Sequence, residues 1–160
     1  MKYHRLSEQQ FVSMHIEFSI FLAAKGIDEI KWTKIKKSNS SKFDLLLNNF
    51  SDLVWENILD RCNYIEFSDK NQLFLFHART KIIYVIVIKV FKKNINIESI
   101  NGWKWLINNI NSNFVEIYRS SMKYSENRNF FLYKYLKKGA VISGGIKYED
   151  IKTYFSDSLK

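Results

Sequence analysis

The sequence feature that most constrains the fold is an apolar run between two lysines, residues 81–89 with the sequence KIIYVIVIK. Most of its residues branch at Cβ, which restricts χ1 and favours a strand over a helix. Successive side chains of a strand point to opposite faces, so one face would carry Ile82, Tyr84, Ile86 and Ile88 and the other Ile83, Val85 and Val87. Neither face is polar. Both therefore need a cover, either from helices at the two ends of the chain or from a partner.

The segments around this run predict an antiparallel meander. Residues 64–67 and 72–76 are rich in the aromatic and aliphatic residues that strands favour. Residues 68–71 and 77–80 are short connections of the kind that hairpins use. A fourth strand is expected over residues 114–118.

Helix signals precede the meander. Ser7 and Gln10 have the spacing of a capping box, and Gly26 is a natural helix terminator. Asp28 can cap a second helix. A longer helix is expected over residues 42–61, where apolar residues recur every fourth position, although its central Asn and Ser residues could kink or split it.

Helix signals also follow the meander. Ser99 can cap one helix, and another is expected over residues 129–138, ended by Gly139. A last amphipathic helix would carry Ile151, Tyr154, Phe155 and Leu159. These elements predict an α+β fold, an antiparallel sheet of about four strands with N-terminal helices and C-terminal helices packed on it. A length of 160 residues predicts a single domain over residues 1–160.

The composition predicts a globular cytoplasmic protein. Hydrophobic residues make up 46% of the chain and charged residues 26%. Cys62 is the one cysteine, which excludes an intramolecular disulfide and fits a reducing compartment. No apolar segment is long enough to span a bilayer, so no membrane association is expected.

The net charge of +9 raises nucleic acid as a partner. The basic residues of that hypothesis, interleaved with tyrosines, are Lys92, Lys93, Arg119, Lys123, Arg128, Lys137 and Lys138. They would neutralise phosphates while rings stack on bases. However, no ribonucleoprotein motif, KH loop or zinc knuckle is present, and Lys outnumbers Arg. The abundance of Lys, Asn and Ile also fits codon bias in an A/T-rich genome.

No residue pattern predicts catalysis, a metal or a cofactor. The loop over residues 139–145 lacks the Lys that a phosphate-binding loop requires, and a helix terminator followed by a turn is the better interpretation. Cys62 is expected at a helix C-terminus, which does not activate a thiol. Asp52 and Glu56 form an acid pair on a helix face, as surface helices often do. The three histidines lack metal-ligand spacing.

Four tryptophans and the two-sided apolar strand favour protein interaction instead. Trp103 and Trp105 cannot both point fully inward from one helix, and an exposed Trp is a typical binding anchor. Tyr84, on the apolar strand, is a further candidate. The resulting hypothesis is a non-catalytic cytoplasmic interaction or accessory domain that can form a homodimer. The alternative is an RNA-binding or ribosome-associated basic protein.

Three segments carry a resemblance to a known family. They are residues 1–10 (MKYHRLSEQQ), 50–59 (FSDLVWENIL) and 102–106 (GWKWL). In these the chain resembles a family of small Bacteroidota proteins that carries only a domain-of-unknown-function label. The resemblance extends over nearly the whole chain. It implies a compact cytoplasmic single-domain protein and supplies no activity, cofactor or site residue.

Overall fold

The computed structural model describes residues 1–69 and 71–157, and the chain divides into two compact units, Met1–Leu59 and Asp60–Lys160. The first unit is helical, and the second contains the sheet. Each unit has apolar clusters of its own. The expectation of a single domain over residues 1–160 stays a prediction.

The helices of the first unit are α1 Glu8–Ser13, α2 His15–Ala24, α3 Glu29–Ser38 and α4 Ser40–Arg61. The predicted capping box is confirmed, because the Ser7 hydroxyl accepts from Gln10 N–H and the Gln10 side chain accepts from Ser7 N–H. Met14 separates α1 from α2, where the sequence predicts one helix. Gly26 ends α2 with a φ of 68°, in the left-handed region that glycine tolerates. Asp28 caps α3 as predicted.

Helix α4 is the longest, and it is continuous where the sequence suggested a kink. The helix accommodates Ser51, whose hydroxyl donates to Leu47 O at 2.8 Å and accepts from Leu6 N–H at 3.1 Å. The buried polar group is thereby satisfied without breaking the helix. Buried Phe50 joins Leu6 and other apolar residues in one cluster of the unit. A second cluster includes Leu46.

The second unit contains a five-stranded sheet in the order β4-β3-β2-β1-β5. Its strands are β1 Tyr64–Asp69, β2 Gln72–Ala78, β3 Ile82–Val90, β4 Val115–Lys123 and β5 Val141–Ile142. All neighbouring pairs are antiparallel, so the predicted meander and the α+β fold are confirmed. The fifth strand has only two residues, too few to give a period that a sequence pattern could show.

One sheet face, here called face A, carries Tyr84, Ile86 and Ile88 of β3. Helices α5 Ile100–Asn108 and α7 Ile146–Asp157 pack on this face through buried Leu106 and Ile151. Ser99 caps α5 as predicted, with its hydroxyl 3.0 Å from Gly102 N. The last helix carries the predicted Ile151, whereas Leu159 lies outside the described residues.

The opposite face, face B, carries Ile83, Val85 and Val87 of β3. Helix α6 Arg128–Lys137 packs on its β1–β2 side, where the Tyr135 ring lies 4.8 Å from that of Phe76. Ile83 is buried, but Val85 and Val87 stay half-buried. On face A the run is therefore buried at Ile86 and Ile88 and half-buried at Ile82 and Tyr84, whereas on face B only Ile83 is buried.

Candidate functional site

Strand β4 forms one edge of the sheet, and it is long and exposed. Its sequence VEIYRSSMK has nine residues, of which the last six are exposed. The β-branched start pairs well with β3, and the polar second half suits a solvent-exposed position. The strand at the other edge, β5, has only two residues. The unpaired backbone groups of the sheet are therefore concentrated along β4.

The ladder between β3 and β4 determines which backbone groups of β4 face outward. Phe91 N–H donates to Phe114 O at 2.9 Å, immediately beyond the Val90–Val115 pair. Hydrogen-bonded and non-hydrogen-bonded pairs alternate along an antiparallel ladder. The N–H and C=O groups that point away from β3 therefore belong to Val115, Ile117, Arg119, Ser121 and Lys123.

Two apolar side chains of β4 stand out on face B. Tyr118 and Met122 are each 50% exposed. The Tyr118 hydroxyl donates to Glu116 Oε2 at 2.6 Å, and this hydrogen bond raises the pKa of Tyr118. The Lys89 ammonium lies 5.3 Å from the Tyr118 ring centroid. Together with half-buried Val87, these side chains form an apolar strip beside the open edge.

A row of aromatic side chains crosses face A at the end of the sheet. Tyr64, His77 and Tyr84 lie opposite one another on β1, β2 and β3, and the Tyr64 and His77 rings stack at 4.5 Å. The Tyr64 hydroxyl donates to Glu149 at 2.8 Å. Lys152 donates to the other oxygen of Glu149 at 2.9 Å. This carboxylate therefore joins the row to α7.

The environment of the row shifts three pKa values. Burial, followed by the positive charge of Arg79, lowers the pKa of His77. Burial, followed by the hydrogen bond to Glu149, raises the pKa of Tyr64. The hydrogen bond from Lys152 lowers the pKa of Glu149. These shifts favour a neutral imidazole stacked on a protonated phenol at neutral pH.

The predicted interaction residues lie on face A. Trp103 and Trp105 are both half-buried and pack against the core of the second unit. A lysine ammonium covers each ring, Lys147 at 5.7 Å from Trp103 and Lys92 at 5.0 Å from Trp105. Tyr84 belongs to the aromatic row. Their role in binding stays a prediction.

The basic residues of the nucleic-acid hypothesis are distributed over several elements. Arg119 and Lys123 lie on β4, whereas Lys92 and Lys93 follow the opposite end of β3. Arg128 is occupied structurally, because it donates to backbone carbonyls that include Ala78 O at 3.0 Å. Lys137 and Lys138 lie at the end of α6. The hydrogen bonds of Arg128 connect the end of β2 to α6, and no pattern in the sequence predicted them.

The side chains of Cys62, Asp52 and Glu56, which the sequence analysis considered for catalysis, make contacts that stabilise the fold. Burial raises the pKa of the Cys62 thiol, which lies 3.6 Å from Tyr64 O. Asp52 accepts from the backbone N–H groups of Lys2 and Tyr3, and Lys2 forms an ion pair with Glu56. This acid pair therefore holds the N-terminal segment. Within residues 1–69 and 71–157, no cluster of three metal-ligating side chains occurs.

No helix within the described ranges is long and apolar enough to cross a membrane. Searches of the curated proteins and of the solved structures found no match. A family model of a family of unknown function, DUF6495, matches residues 1–156. This match confirms the resemblance to a family of unknown function, whereas the Bacteroidota origin stays a prediction. The chain belongs to the DUF6495 family.

Proposed function

We propose that this chain is a non-catalytic, cytoplasmic protein-interaction or accessory domain that forms a homodimer through the β4 edge. The observation that carries the proposal is the nine-residue exposed edge strand. Its outward N–H and C=O groups are a template for another strand, and β4 contains no proline that would prevent pairing. The buried, free Cys62 fits the cytoplasmic part of the proposal.

The proposed dimer has a two-fold axis perpendicular to the sheet, which pairs β4 with itself in the antiparallel direction. In the register centred on Ser120, Arg119 lies opposite Ser121 of the second copy, and Ile117 lies opposite Lys123. All four residues present outward backbone groups, so about eight backbone hydrogen bonds would form. A register centred on Arg119 would instead place two guanidinium groups opposite each other, which is destabilising.

The side chains on face B support the Ser120 register. In that register Tyr118 lies opposite Met122 of the second copy, on both sides of the axis. Both side chains are half-exposed in the single chain and become covered in the pair. Each contact between sulfur and an aromatic ring contributes about 0.3–1.5 kcal/mol. Half-buried Val85 and Val87 extend this apolar strip into each copy.

A pair of double variants tests the dimer and its register. Tyr118→Lys with Met122→Lys places like charges opposite each other across the axis and should give a monomer. Tyr118→Glu with Met122→Lys places opposite charges at the same positions and should keep the dimer. Sedimentation equilibrium over a wide concentration range measures the mass of each variant and of the wild type.

A wild-type chain that stays monomeric at every concentration would remove the proposal. If both double variants dimerise equally, the Ser120 register is wrong. The RNA-binding alternative is tested in parallel by a mobility shift with single-stranded RNA. Binding that weakens steeply with salt would favour that alternative, and a wild-type monomer with such binding would replace the interaction hypothesis.

A further inference from the structure

A cavity of about 390 Å³ opens on face A between β3, β4 and α7. This volume lies within the range of small-molecule sites. The polar side chains of its lining that belong to face A or to α7 are Tyr84, Arg119, Ser121, Tyr148 and Lys152, and Phe155 forms part of the wall. All of them belong to one chain. The cavity therefore does not depend on the proposed dimer.

Several donors in this cavity have no acceptor. Tyr148 is only 7% exposed, and its hydroxyl makes no hydrogen bond within residues 1–69 and 71–157. Burial, followed by the charge of Glu149, raises the pKa of Tyr148 to about 12, so the hydroxyl keeps its proton at physiological pH. The hydroxyls of Tyr84 and Ser121 likewise have no hydrogen-bond partner in this part of the chain. These three hydroxyls are therefore free to donate to a molecule that enters the cavity.

The charge of the lining favours an anionic ligand. Arg119 has no carboxylate partner among the described residues, and its guanidinium lies 5.2 Å from the Phe155 ring centroid. No acidic side chain lines the cavity. Nearby Glu149 is already engaged, because its two oxygens accept from Tyr64 and Lys152. The cavity therefore presents hydrogen-bond donors and positive charge to whatever enters it.

From these contacts we infer that the cavity binds a small phosphorylated molecule with a planar ring body. A phosphate offers three acceptor oxygens, which suits Arg119, Tyr148 and Ser121 better than the two oxygens of a carboxylate. The rings of Tyr84 and Phe155 provide apolar surface for the planar body. The Arg119 guanidinium, which lies against the Phe155 ring, can donate charge-assisted hydrogen bonds to the phosphate.

Calorimetric titration with three compounds tests the inference. Phenyl phosphate should bind more tightly than inorganic phosphate, which lacks the ring, and more tightly than benzoate, which lacks the third oxygen. Tyr148→Phe removes one hydroxyl and keeps the ring, so it should weaken phenyl phosphate binding about tenfold. Arg119→Gln should weaken it about a hundredfold. Tyr135→Phe, which removes a hydroxyl on face B, should leave it unchanged.

Thermal unfolding of each variant verifies that it is folded, and Tyr148→Phe is conservative enough to keep the core. The inference is wrong if phenyl phosphate shows no saturable binding, if Tyr148→Phe binds like the wild type, or if benzoate binds equally well. The like-charged variant at Tyr118 and Met122 should still bind phenyl phosphate as a monomer. Loss of dimerisation and loss of ligand binding are therefore separate outcomes.

Discussion

Because the two sheet faces are unequally covered, the same Val→Ala substitution on β3 should lower the free energy of unfolding by different amounts on the two faces. Val90 is 2% exposed and belongs to the core under α5 and α7, whereas Val87 is half-buried on face B. Val→Ala at either position removes the equivalent of two methylene groups. The comparison therefore keeps the chemistry constant and varies the burial.

The expected magnitudes follow from that burial. At Val90 the lost transfer free energy is about 1.6 kcal/mol at ~0.8 kcal/mol per methylene, and the cavity left behind raises the total to about 2–3 kcal/mol. At Val87 about half of the transfer free energy is lost and solvent fills the space, so the cost is about 1 kcal/mol. The free energy of unfolding should thus differ by about 1–2 kcal/mol between the two variants.

Urea unfolding followed by tryptophan fluorescence and far-UV circular dichroism measures this difference. The dependence of free energy on urea should be the same for both variants and the wild type, since a changed slope would mean a changed unfolded or native state. Equal losses for Val87→Ala and Val90→Ala at low protein concentration would refute the reasoning. They would mean that face B is closed within a single chain.

Two further predictions concern a close approach and a titrating ring. Gly102→Ala would place its Cβ 1.8 Å from Asn96 O. The free energy of unfolding in urea should therefore fall by about 2–3 kcal/mol, despite the better helix propensity of Ala. Gly144→Ala is the control, because its Cβ would have no atom within 4 Å, and it should be nearly neutral. Because folding lowers the pKa of His77, the unfolded chain binds that proton more readily, and stability should fall as the pH drops through the ordinary histidine pKa of about 6.5. His77→Phe should remove this part of the pH dependence.

The outcomes that would contradict these two predictions are distinct. Equal stability of the Gly102→Ala and Gly144→Ala variants would mean that the loop before α5 can move away from the helix. For His77, stability curves of wild type and His77→Phe are compared from about pH 7.5 to about pH 5.5. Parallel curves over that range would show that the imidazole titrates alike in the folded and unfolded chain.

Local signals in the sequence predicted the helix starts well. The capping residues Ser7, Asp28 and Ser99 all bond to backbone groups three residues away. Such contacts depend only on neighbouring residues, so spacing reveals them. The same holds for Gly26, whose left-handed conformation ends α2. The break between α1 and α2 at Met14 could not be predicted in this way, because no residue type at that position requires a helix to end.

Contacts between distant residues were not predictable. Arg128 bonds to carbonyls more than 40 residues away, and Tyr64 donates to Glu149, 85 residues away. The cavity on face A likewise combines Arg119 of β4 with Tyr148 of α7. A single sequence has a period and a composition, but it contains no record of which distant side chains meet.

The apolar run at residues 81–89 likewise has local properties that the sequence predicts and long-range contacts that it does not. Its β-branched residues alone determine that it is a strand and that neither of its faces suits water. Only the tertiary structure decides that α5 and α7 cover most of face A while α6 covers part of face B, and that β4 becomes the open edge. The reason is physical, because strand propensity is a local property of the backbone and Cβ, whereas burial depends on which elements the chain brings back to the sheet.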